Sequence, residues 1–190
     1  MAHVQEKWTL AQFLAWEETQ PERHEFHNGE VFAMVGARRV HGRVVVNLTH
    51  QLMSHLKGSP CQVFSEGMKL QVADDTLFYP DVFVTCDRDD LRTDAVFRAP
   101  TVVIEVLSPT TQAYDRSLKF ALYRRLPSLR EYVLVDPDTH RVEVFRLNAS
   151  GVFELHDMSE CATLTLTSLD AEIALADVFD GVDPPVTDDI

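Results

Sequence analysis

One charged side chain stands out as hard to account for by ordinary core packing. Glu105 lies inside Thr101-Val102-Val103-Ile104-Glu105-Val106-Leu107, a nearly continuous apolar run. An ionised carboxylate there is costly unless a cation compensates it. The run reads as a strand buried on both faces, with Val103, Glu105 and Leu107 on one side and Val102, Ile104 and Val106 on the other. A buried Arg or Lys partner would explain Glu105 structurally; a metal ion would explain it functionally. Asp81 is the second candidate. It follows Pro80 and opens a β-forming segment, Asp81 to Cys86, so neighbouring strands can carry both carboxylates to one point. Two carboxylates plus waters make the oxygen-only set that Mg²⁺ takes when it also contacts a phosphate. Pro-Asp is equally a common turn dipeptide.

Asp115, Lys119 and Tyr123 fall at i, i+4 and i+8, one polar line along the helix expected over residues 115–126. Read plainly, Asp115 and Lys119 are a surface ion pair; read functionally, they face the Glu105 strand. His41 sits on an apolar helix face with Val45 and Leu48. It is either a satisfied core histidine or a polar support for the carboxylates. Other chemistries find no footing. His24 and His27 are too close for HExxH, Ser108 is outside any GxSxG elbow, and no glycine-rich phosphate loop occurs. The three cysteines form no CxxC pair and are expected to be free thiols.

The elements that must position these residues follow from periodicity. A helix is expected from the N-cap Thr9 to about Glu18, then a hairpin over 24–32 turned by Asn28-Gly29. A second helix runs from about Arg39 to Leu56, and strand pattern covers Gln62 to Val72. The run at 101–107, the helix at 115–126 and the apolar Glu131 to Val135 suit a right-handed parallel crossover. Arg141 to Leu147 and Gly151 to His156 form a hairpin at the edge. The fold class is α/β: a mixed central β-sheet flanked by helices, with an added β-hairpin.

The 190 residues fit a single domain, taken as 1–181, with an acidic flexible tail at 182–190. No apolar run is long enough to span a bilayer, and the N-terminus lacks a signal-peptide core, so a cytoplasmic protein without membrane contact is expected. The net charge of −13 argues against a nucleic-acid binder that uses its whole surface. Charge is unevenly spread, however. Residues 170–190 carry seven acids and no Lys or Arg, whereas 38–57 and 116–130 carry Lys and Arg and no acid. These runs are either ordinary solvated surface or a basic face; on the second reading Arg39, Arg43, Arg116 and Arg124 are the candidate DNA contacts.

These features resemble the PD-(D/E)xK nuclease superfamily, and within it the small bacterial "putative restriction endonuclease" family. The resemblance rests on Tyr79-Pro80-Asp81-Val82-Phe83-Val84, on Val103-Ile104-Glu105-Val106-Leu107-Ser108-Pro109-Thr110-Thr111, and on Asp115-Arg116 with Lys119 and Tyr123. Glu131 to Asp136, His24-Glu25 with Asn28-Gly29-Glu30, and His41 also match. It implies a restriction-endonuclease-like fold and a Mg²⁺- or Mn²⁺-dependent DNA endonuclease. Asp81 and Glu105 would hold the metal, Lys119 would act with them, and His41, Asp115 and Tyr123 would support them. The superfamily's usual lysine, two residues after the Glu, is Leu107 here, and the resemblance points to Lys119 as its replacement. Cutting both strands of a duplex suits a homodimer. The competing readings are a catalytically inactive nuclease-fold module that binds nucleic acid or protein, and a hydrolase of another phosphodiester.

Overall fold

Thr9 caps the first helix through a reciprocal pair: its hydroxyl accepts from the Gln12 amide, and the Gln12 side chain accepts from the Thr9 amide. Such a cap is worth about 1 kcal/mol. The computed structural model describes residues 7–34 and 36–183, and this helix, α1, covers Leu10–Glu17. The hairpin of β1 (His24–His27) and β2 (Glu30–Ala33) follows. Asn28 and Gly29, with φ of 50° and 84°, make the left-handed turn that matches strand twist. Next comes α2 (Arg39–His55), whose buried face includes Val40, Val44, Val45, Leu48 and Leu52.

The segment 62–72 divides into β3 (Gln62–Ser65) and β4 (Lys69–Ala73). Glu66 and Gly67, with φ of 25° and 83°, turn the chain between them. Then come β5 (Thr76–Phe78), β6 (Val82–Thr85), the short β7 (Val96–Phe97) and β8 (Pro100–Val106). The crossover helix consists of α3 (Gln112–Tyr114), a π-turn at Asp115–Lys119 and α4 (Phe120–Tyr123). It leads to β9 (Glu131–Asp136), and the hairpin of β10 (Arg141–Leu147) and β11 (Phe153–Asp157) follows. The sequence patterns did not anticipate β12 (Thr163–Leu166), β13 (Ala171–Ala174) or α5 (Leu175–Val178).

The central sheet has the order β11-β10-β9-β8-β6-β3 and is mixed, with only β8 and β9 parallel. A second sheet, β2-β1-β5-β4-β7, stands beside it. Two of the chain's crossings between the sheets, at Glu66-Gly67-Met68 and at Tyr79-Pro80-Asp81, meet where the Glu66 amide donates to the Asp81 carbonyl. Alternation along β8 divides the core as its sequence requires. Val102, Ile104 and Val106 pack with α2, while Val103 and Leu107 pack with Leu122, Tyr123 and Tyr132.

Two expectations are corrected. Cys61 and Cys86 are disulfide-bonded rather than free. The β3–β6 register sets Gln62 opposite Thr85, which puts the preceding and following cysteines opposite one another at a Cα separation of 4.0 Å. Cys161 is the free, exposed cysteine. The start of the expected tail is docked: Val182 is buried, its carbonyl accepts from His140, and Arg39 donates to the carbonyls of Gly181 and Asp183. Residues 184–190 lie outside the described residues. Among the described residues no helix is long and apolar enough to cross a membrane.

Candidate metal centre at the seam of two sheets

Glu105 leaves β8 on the α4 side and is 2% exposed. Its Oε1 accepts from Lys119 Nζ at 3.2 Å and from the Tyr123 hydroxyl at 3.1 Å. Among the described residues its Oε2 accepts only the Asp81 amide, at 3.4 Å. Asp81, immediately before β6, is held through Oδ2, which accepts from the Val106 amide at 2.7 Å and lies 3.2 Å from His41 Nε2. Among the described residues Asp81 Oδ1 takes no hydrogen bond. Each carboxylate is thus fixed through one oxygen, and the contact of the Asp81 amide with Glu105 Oε2 brings the two residues together; carboxylate oxygens are the donors a hard divalent cation prefers. Among the described residues no three His, Cys, Asp or Glu side chains form a metal-binding group.

Three carboxylates surround the Lys119 ammonium. Its Nζ lies 2.9 Å from Glu25 Oε1, 3.2 Å from Glu105 Oε1 and 3.5 Å from Asp115 Oδ1. The rings of Phe78 and Tyr114 close over it at 5.6 and 5.8 Å. The π-turn that ends at Lys119 is a device common at functional sites. It leaves Asp115, Lys119 and Tyr123 all facing β8. Sequence reasoning did not single out Glu25 as a site residue. It reaches the cluster from β1, whose other face, with His24 and Phe26, packs against α1. The one signal was an acid within a short hairpin strand, between two residues with aromatic rings.

The electrostatics follow from burial and crowding. Burial drives the Glu105 carboxyl well above the usual carboxylate range; Lys119 opposes this, while Asp81, Asp115 and Glu25 add to it. Asp115 is raised for the same first reason. Burial pulls Lys119 down, yet Glu105, Glu25 and Asp115 outweigh it, so the ammonium stays charged. For His41, burial is likewise the largest single influence and acts downward, but Asp81, Glu66 and Asp115 together raise it. Its Nδ1 is buried and has no partner among the described residues. Side-chain exposure grades across the site, from 14% and 18% at His41 and Asp81 to 8% and 3% at Lys119 and Glu105. The centre is more open to solvent at Asp81 and His41 than at Lys119 and Glu105.

The arginines lie elsewhere. Arg39 and Arg43 are each two positions from His41, about 200° round the helix. Arg43 pairs with Asp180 at 2.7 Å, and Arg39 holds the C-terminal carbonyls. Arg116 pairs with Glu143, and Arg124 stacks over Phe120 at 5.7 Å.

Comparison with known proteins places the chain in a family. A family profile described as "Putative restriction endonuclease" matches residues 10–176. Two proteins of Synechocystis sp. are similar. "Uncharacterized protein slr1290" is 33% identical over 177 residues, covering 93% of each chain. "Uncharacterized protein sll1609" is 33% identical over 141 residues, covering 73% of this chain and 80% of its own. A crystal structure described as "a putative nuclease belonging to DUF820" from Anabaena variabilis superposes with a TM-score of 0.77 at 20% identity. That match covers 92% of this chain and 99% of the other.

Proposed function

We propose, for a chain that belongs to the family described as "Putative restriction endonuclease", that it is a divalent-metal-dependent DNA endonuclease. The observation that carries the reading is the pairing of Asp81 and Glu105, each fixed through one oxygen and each keeping another for a cation. A bound Mg²⁺ or Mn²⁺ would polarise the scissile phosphate and lower the pKa of a coordinated water. The chain's own residues do the rest. His41 and the Val106 amide hold Asp81 in place, and Tyr123 holds Glu105. Lys119, kept charged by Glu25 and Asp115, supplies positive charge beside Glu105 where charge grows on the phosphate. Arg39, Arg43, Arg116 and Arg124 are the proposed DNA contacts. Those that already hold an acid or a carbonyl must exchange it for a phosphate, so affinity should be modest and steeply salt-dependent.

The test is nicking or linearisation of supercoiled plasmid with Mg²⁺ or Mn²⁺, run beside Asp81→Asn and Glu105→Gln. Cleavage by the native chain that persists in both variants would overturn the assignment. A specific observation favours the rival reading of an inactive module: Leu107, at the usual lysine position, is 2% exposed and packed in an apolar cluster. That reading predicts no cleavage of any substrate and no Mn²⁺ binding by calorimetry.

A further inference from the structure

The outer edge of the central sheet is built to pair with itself. Among the described residues β11 is hydrogen-bonded on one side only, to β10, and exposes Leu155 (54%), with Val152 (56%) just before it. Exposed strand edges are normally blunted by Lys, Pro, a bulge or a cover. From Val152 to Asp157 there is no Lys, Arg or Pro. The register from Glu143↔Asp157 to Leu147↔Phe153 runs without a shift.

The direction of the free backbone groups follows from the flanking bonds. Asn148 N donates to Val152 O, and Met158 N donates to Val142 O, both at 2.8 Å. Hydrogen-bonded pairs alternate along an antiparallel ladder. His156 and Glu154 therefore face inward to Val144 and Arg146, while Phe153, Leu155 and Asp157 turn their N–H and C=O groups outward.

We propose that this edge is an interface for a second copy of the chain, joined antiparallel about a two-fold axis at Leu155. In that register Leu155 lies opposite Leu155 of the second copy and exchanges both backbone hydrogen bonds with it. Phe153 and Asp157 lie opposite each other and do the same. Between these rungs, in the closer non-hydrogen-bonded positions, Glu154 faces His156 of the second copy, twice by symmetry. The strand is thus complementary to itself in hydrogen bonding, in its apolar centre and in its polar pairs. β2 offers no such match: self-paired, Glu30 would face Ala33 and Val31 would face Phe32. The joined molecule has one continuous sheet, a closed isologous assembly. The inference does not depend on the nuclease reading, because its test is the oligomeric state.

Sedimentation velocity of the full chain over a concentration series is expected to show a reversible monomer–dimer equilibrium. Leu155→Lys, which sets two ammonium groups face to face, should raise the dissociation constant at least tenfold. His156→Glu should weaken it by like-charge contact with Glu154, and the swap E154H with H156E should restore it. For direct proof of register, L155C in a C161S background should oxidise to a covalent dimer, since hydrogen-bonded pairs lie about 5.5 Å apart, within disulfide reach. V152C in the same background should not. A native chain that stays monomeric at its highest soluble concentration would overturn the proposal. So would a dimer whose dissociation constant L155K leaves unchanged, or equal cross-linking at 152 and 155.

Discussion

Replacing Lys119 by Met keeps a long unbranched side chain and removes only the ammonium. Three carboxylates now within 2.9, 3.2 and 3.5 Å of that charge would lose their counter-ion. Removing one partner of a buried ion pair costs about 3–5 kcal/mol, because the others stay desolvated and uncompensated. In a domain of this size each kcal/mol moves Tm by roughly 2–4 °C, so the expected drop at pH 8 is on the order of 6–20 °C. Acid should narrow it, since Glu105 and Asp115, already pushed upward by burial, can take up protons and shed their charge. The assay is a pair of melting curves by circular dichroism, at pH 8 and pH 5. A loss under about 2 °C at pH 8 would refute the claim that Lys119 is the counter-ion of the cluster. The same variant probes function if plasmid cleavage is measured well below its Tm. Adding Leu107→Lys restores a cation on the Glu105 face of β8, yet places it among packed apolar side chains, so recovered activity should come with a further loss of stability.

Mn²⁺ titration by calorimetry should show one site that Asp81→Asn and Glu105→Gln abolish, and undiminished heat in both would sink the centre. Binding should strengthen as pH rises, because the raised Glu105 carboxyl must release its proton to the solvent. Without metal the sign runs the other way. A carboxyl raised in the folded state contributes stability below its unfolded pKa and loses it as pH climbs through the folded value. Native chain should therefore lose Tm relative to Glu105→Gln over that range, and a flat difference would refute the shift. Glu25→Gln frees Lys119 to pair more fully with Glu105 and should weaken Mn²⁺ roughly tenfold, with Glu25→Asp intermediate, whereas a purely structural Glu25 would move Tm alone. Arg124→Glu should lower DNA affinity and reduce the salt slope by about one; an unchanged slope would remove Arg124 from the DNA contacts.

The central sheet was legible where one face of a pattern could be read without knowing its neighbours. β8 and β9 are continuous apolar runs closed by Ser108-Pro109 and Asp136-Pro137, which mark buried parallel strands wherever they dock. The hairpin at 24–33 was legible because Asn28-Gly29 demands positive φ twice. The rest of the second sheet was not. Its strands are two to five residues long, and β3 and β4 read as one stretch because Glu66-Gly67 is a weak breaker between similar patterns. The Cys61–Cys86 bond was hidden for a related reason. A separation of 25 residues says nothing of pairing until the β3–β6 register is known.

Of the site, what could be read was each residue's oddity in its own element, and what could not was which oddities compensate one another. Glu105 is anomalous in a strand and Lys119 unremarkable on a helix, yet they are two ends of one interaction. Glu25 could not be weighed at all, since its burial is created by packing α1 on one face of β1 and the crossover helix on the other. That packing changes the meaning of the lysine. A lysine at position 107 would stand beside Glu105 on the same face of β8. Here Lys119 arrives from a helix already bound to Asp115, and Glu25 is nearer to it than Glu105. Its charge is shared among three carboxylates and cannot neutralise Glu105 alone. Four carboxylates against one ammonium leave the cluster short of positive charge in a nearly dry site, which it can meet by binding protons or by binding a cation. Asp81 is the more exposed of the proposed metal-binding pair, at 18% against 3% for Glu105, so on that proposal a cation would enter at Asp81 and meet the deficit without displacing the lysine.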